Sequence, residues 1–82
     1  MPYIPQMRRV ELLECHDAPK SQGELNFLIT EQLARYCRAH GLSYTTINDC
    51  LGALNGATLE FYRRKAAPYE DLACQRNGDV YA

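Results

Sequence analysis

Apolar residues along this chain recur at steps of three and four, the spacing of one face of an α-helix. Met7, Val10 and Leu13, with Leu12 beside them, mark a short amphipathic helix over residues 6–14. Asp17-Ala18-Pro19-Lys20 breaks it. Ser21-Gln22-Gly23-Glu24 has the form of a capping box, in which a hydroxyl and a carboxylate satisfy free backbone donors, so a second helix starts there. Its apolar stripe is Leu25, Leu28, Ile29, Leu33, Tyr36 and Cys37, and Gly41 after His40 stops it.

Ser43 or Thr45 can cap a third helix, whose stripe of Ile47, Leu51, Leu54, Thr58 and Phe61 alternates steps of four and three in a heptad-like seam. Gly52 and Gly56 lie one turn apart inside it. Each costs a helix about 1 kcal/mol relative to Ala, and close approach of another helix is the expected offset. Pro68 lacks an amide donor and disfavours the α conformation at Ala67, so the third helix is expected to end or kink there. Pro68 also suits the first turn of a short fourth helix, which Asn77-Gly78 terminates. The expected fold is all-α: three main helices plus a short C-terminal helix, one helical domain over residues 1–82, with an extended arm at 1–5 and a tail at 79–82. Pro2 and Pro5 keep the arm out of a helix, and Val80 and Tyr81 are apolar enough for the tail to dock.

At 82 residues the core is small, and domains of this size add disulfides, a metal or self-association. Cys15, Cys37, Cys50 and Cys74 form no CxxC pair and no finger spacing with His16 or His40, so neither a structural metal nor a cofactor is expected. The bland reading of three of them is a small buried hydrophobe. With no leader pattern, and no apolar run of the roughly 18 residues a membrane helix needs, a cytoplasmic setting with reduced thiols is expected. Homo-oligomerisation through the third helix, at Gly52 and Gly56, remains as the way to reinforce the core.

Nine Lys and Arg against ten Asp and Glu give a net charge of −1, which supplies no broad footprint for duplex DNA or an anionic membrane. Any nucleic-acid role must be local. The densest functional candidate is Glu60-Phe61-Tyr62-Arg63-Arg64-Lys65 with Ala67-Pro68-Tyr69-Glu70. Arginine presents a planar fork of donors that fits phosphate, and tyrosine a face on which a base stacks. The competing reading is ordinary: Glu60 pairs with Arg63 or Arg64 on a helix surface, and cations complement a helix C-terminus. No hydrolase elbow, P-loop, dinucleotide or metalloprotease motif is present. Cys15 and His16 are adjacent in sequence and point apart on a helix, which argues against a nucleophile pair, and His40 suits a helix end better than a base's role. Asp49, Glu60 and Glu70 could meet around Mg²⁺ only if the fold brings them together.

Met1-Pro2-Tyr3-Ile4, Gly23 to Thr30, Tyr44 with Ile47-Asn48-Asp49, Leu59 to Arg64, Ala67 to Glu70 and Asn77 to Tyr81 together resemble a family of small proteins of unknown function found in phage and prophage genomes. The resemblance runs nearly end to end. It departs at Asn55-Gly56-Ala57-Thr58, where the similar sequences read acidic, small and Lys. It implies a phage-type cytosolic setting and no particular activity. The leading expectation is a non-enzymatic binding protein, in a phage setting a counter-defence factor that sequesters a small anionic nucleotide at a subunit interface. Arg63 and Arg64 would neutralise phosphate, Tyr3 or Tyr69 would stack on a base with Tyr62 close by, and Asn26 or Asn48 would read a polar edge. Two alternatives stand beside it: a protein-binding inhibitor or adaptor of a host or phage enzyme, and a small metal-dependent nucleotide-processing enzyme built on Asp49, Glu60 and Glu70.

Overall fold

The computed structural model describes residues 2–81, so Met1 of the arm and Ala82 of the tail lie outside the described residues. Every element among them is helical: α1 (Gln6–Glu14), α2 (Gln22–His40), α3 (Tyr44–Phe61), a π-helical turn (Tyr62–Ala66) and α4 (Ala67–Asn77). The fold is all-α, as the sequence period implies. The chain divides after Ile47 into two units.

The first unit is a hairpin of α1 and α2. Pro5 precedes α1 with no side-chain cap, and its carbonyl accepts from the amides of Arg8 and Arg9 at 3.0 and 3.2 Å. After Cys15, His16 turns the chain through the left-handed region at φ +56°, a conformation that histidine visits more readily than most side chains. Arg8 then ties the hairpin together. Its guanidinium donates to Asp17 at 2.8 Å, to the Ala18 carbonyl at 3.0 Å and lies 2.9 Å from Glu24. The capping box forms with one change: Ser21 Oγ accepts from the Glu24 amide at 3.2 Å, while the Glu24 carboxylate takes the Lys20 amide, one residue earlier than Ser21, at 3.0 Å. The Lys20 amide, then Arg8, hold the Glu24 carboxyl below the usual carboxylate range, and Asp17 followed by Glu24 raise Arg8.

Among the described residues, the buried apolar side chains of this hairpin are Leu12 on α1 and Phe27 on α2. Arg9 lies over the Phe27 ring, 5.7 Å from its centroid, and donates to the Ile4 carbonyl at 3.0 Å, which pins the arm. Here the structure corrects the sequence reading. Phe27 lies outside the expected stripe of α2, whose Leu25, Ile29 and Tyr36 are exposed, and in α1 Leu12 is buried while Met7, Val10 and Leu13 are exposed. The other three residues of the α2 stripe, Leu28, Leu33 and Cys37, are half-buried. At the end of α2, Gly41 takes φ +79° and its amide closes on the Cys37 carbonyl at 2.8 Å. Ser43, and not Thr45, caps α3, its hydroxyl accepting from the Thr46 amide at 3.2 Å. The buried Thr46 hydroxyl donates to the Gly41 carbonyl at 2.7 Å.

The second unit is helical from Asn48 to Asn77 without a break. The chain stays helical past Pro68, through a π turn between α3 and α4, where the sequence led one to expect an end or a kink. Phe61, Ala66 and Ala67 all keep right-handed helical angles, and the turn widens so that the Ala67 amide reaches the Tyr62 carbonyl. An α-turn would set the proline ring against the carbonyl of Arg64 and leave that carbonyl without a donor, and the wider turn is the local solution. Gly78, at φ +90°, ends α4. The Asp79 carboxylate then accepts the Tyr81 amide at 2.8 Å, a local turn that leaves Val80 and Tyr81 exposed at 90 % and 93 %. The tail therefore does not dock on its own unit. No residue from Asn48 to Tyr81 is buried. Cys15 is exposed, Cys37, Cys50 and Cys74 are half-buried, and none of the four forms a disulfide.

Candidate binding surface

The π turn sets Tyr62, Arg63 and Arg64 in one wide loop of helix, with Tyr69 following on α4, and all four side chains are exposed. Glu60 lies one turn earlier and serves both arginines. Its carboxylate accepts from Arg63 at 3.0 and 3.2 Å and stands 3.9 Å from Arg64. Such pairs in solvent contribute at most about 1 kcal/mol. The ordinary ion pair thus forms, yet one carboxylate faces two guanidiniums, and with Lys65 beside them the turn carries an excess of positive charge.

The remaining candidates are spread out. Asn48 precedes Tyr62 by about 21 Å along the helix at 1.5 Å per residue, so one protomer does not bring it to the arginines. Asp49, Glu60 and Glu70 are likewise strung along the rod at intervals of roughly 15 Å. Among the described residues no three His, Cys, Asp or Glu gather closely enough to hold a metal ion, so Asp49, Glu60 and Glu70 do not meet around Mg²⁺ within the protomer. Tyr3 and Asn26 belong to the first unit. Tyr3 is exposed on the arm, and Asn26 is half-buried on α2, its Oδ1 accepting from the Thr30 hydroxyl at 3.1 Å. Gly52 and Gly56 stand in open space, with nothing within 4 Å of where a Cβ would lie.

Sequence reasoning missed one feature. Beyond Gly78 the tail and α4 frame a shallow groove of about 470 Å³, with Tyr62 and Tyr81 as walls and Glu70, Asp71 and Asp79 along it. Its lining carries three carboxylates and neither Arg63 nor Arg64, so it repels anions. The signal was present in Glu70-Asp71, eight and nine residues after Tyr62, but only the bend at Gly78 brings Asp79 and Tyr81 alongside.

No helix among the described residues is long and apolar enough to cross a membrane. No curated protein and no solved structure matches the chain. A family model does match, over residues 1–80, and the chain accordingly belongs to the family described as Domain of unknown function (DUF6899).

Proposed function

We propose that this chain is a non-enzymatic binding protein that holds a small anionic ligand on the arginine-bearing π turn, completed at a subunit interface. The observation that carries the reading is the local charge and chemistry of that turn: two adjacent exposed guanidiniums share the single carboxylate of Glu60 and stand among exposed tyrosines. Arginine forks suit phosphate, and tyrosine faces suit a nucleobase. A nucleotide is the ligand class that uses both. Asn48, about 21 Å from Tyr62 along its own helix, joins the site only from a neighbouring subunit, and Tyr3, Asn26 and Tyr69 are the other contacts proposed for the ligand. In the phage setting that the family resemblance implies, sequestering such a ligand in the host cytoplasm is a counter-defence role.

Native mass spectrometry of protein purified from host cells, intact and then denatured, tests this reading. A phosphorylated adduct that leaves on denaturation supports it and identifies the ligand. Replacing Arg63 and Arg64 by Ala then weakens binding by at least roughly 100-fold, since each hydrogen bond to a charged group contributes about 1.5–3 kcal/mol and the double variant loses two. Absence of an adduct, together with unchanged binding of added nucleotides by the double variant, overturns it.

A second reading rests on a separate observation. Leu59, Phe61, Tyr62, Tyr69 and Leu72 are all exposed on the same unit, and aromatic residues with Arg are the residue types that anchor protein interfaces. That pattern suits an inhibitor or adaptor of another protein. One stoichiometric partner from host lysate and no small molecule would favour it.

A further inference from the structure

We infer that α3 forms the interface of a two-fold, antiparallel homodimer, with the axis passing between Gly52 and Ala53 and Leu51 facing the partner's Leu54. The stripe Tyr44, Ile47, Leu51, Leu54, Thr58, Phe61 follows steps of three and four throughout, the period with which one helix packs along another. Reversed about that axis it meets itself in register: Tyr44 opposite the partner's Phe61, Ile47 opposite the partner's Thr58, Leu51 opposite the partner's Leu54. A helix face complementary to its own reverse fits a second copy of this chain better than an unrelated surface.

Three observations argue for the occupant and its direction. Tyr44 and Phe61 are exposed at 88 % and 67 %. With about 150–250 Å² per aromatic ring, they alone offer roughly 230–390 Å² per protomer, between about a quarter and a half of the ~800 Å² that each partner contributes to a stable interface. The unit from Asn48 onward has no buried residue, so its helix lacks the packed apolar face on which helices in proteins depend. Charge decides the direction. A parallel pair would bring Arg63, Arg64 and Lys65 of both chains to one level, whereas the antiparallel register separates the two triplets by about 35 Å along the axis.

The glycines do not make this contact. At about 100° per residue, Gly52 and Gly56 project roughly 130–170° around the helix from the centre of the seam. They mark another face, and the expectation of packing through them is distinct from this interface.

The test uses the full chain without ligand, so its outcome is independent of what the arginines hold. Sedimentation or native mass spectrometry of the wild type should give twice 9.4 kDa or an even multiple, and the midpoint of thermal unfolding should rise with protein concentration. Leu51→Lys should loosen the dimer by at least about a hundredfold, because it places two like charges beside an apolar seam. Adding Leu54→Glu to it should restore association only in the antiparallel register, where each lysine meets the partner's new carboxylate. Leu59→Lys, off the seam, and Arg63→Ala with Arg64→Ala should leave the mass unchanged. A wild type that stays monomeric at every concentration, with a concentration-independent midpoint, overturns the inference. So does dissociation by Leu59→Lys but not by Leu51→Lys, failure of the Lys/Glu pair to re-associate, or a monomer that carries a stoichiometric foreign chain on this face.

Discussion

Thr46 shows how much one hydroxyl can fix. It is buried, and it donates to the Gly41 carbonyl just past the end of α2 while its own amide is capped by Ser43. The turn between α2 and α3 is thereby closed from both sides. Thr46→Val keeps the shape and strands that carbonyl, so stability in denaturant should fall by about 1–3 kcal/mol with an unchanged m-value. Glu24 makes a pH-dependent contribution. Its carboxyl is held below the usual range by the Lys20 amide and Arg8. The stability it adds is therefore present above the unfolded-state value and is lost as pH falls through the lower, folded-state value. Thermal unfolding followed from neutral to acid pH should show the wild type losing stability across that window, and Glu24→Gln should flatten that loss.

At the scale of elements, boundaries were legible and facing was not. The capping box at Ser21 and Glu24, and the glycines at 41 and 78, are local chemistry, and the helices begin and end where they put them. Which side of a helix becomes core depends on what lies opposite: the α1 stripe of Met7, Val10 and Leu13 is exposed, the α2 stripe is half-buried at Leu28, Leu33 and Cys37 and exposed elsewhere, and the buried side chains are Leu12 and Phe27. Proline's rule likewise predicts an end or a kink, and here the helix widens by one residue and continues. Pro68→Ala should let that turn tighten toward an α-turn, slow amide exchange over residues 66–70 and raise stability by about 1 kcal/mol. Gly52→Ala should also stabilise by about 1 kcal/mol with no change in mass, because open space surrounds that position. A loss of association instead would place a subunit contact on the glycine face.

At the scale of the whole molecule, Leu12 and Phe27 are the only buried apolar side chains among the described residues, too small a core to offset the ordering of a chain this long. The exposed stripes supply the missing apolar surface if copies of the chain share it. Folding and association should then be one transition, so dilution should lower helicity and mass together, as circular dichroism and sedimentation on the same dilution series would record. Of the candidate site, the Tyr62-Arg63-Arg64 patch was legible because those residues are consecutive, while Asn48, Tyr3 and Asn26 were grouped with it by residue type alone, and helical rise keeps Asn48 away from it.

The widened turn before Pro68 also acts on everything after it. One helical turn that takes about one residue more than its neighbours rotates the rest of the rod by roughly 100°. A stripe running straight along α3 thus cannot continue straight along α4, and Tyr69 and Leu72 point in a direction that an unbroken α-helix would have given to other residues. The insertion works as a phase shifter, giving one continuous helix two independent headings, one for each surface it presents.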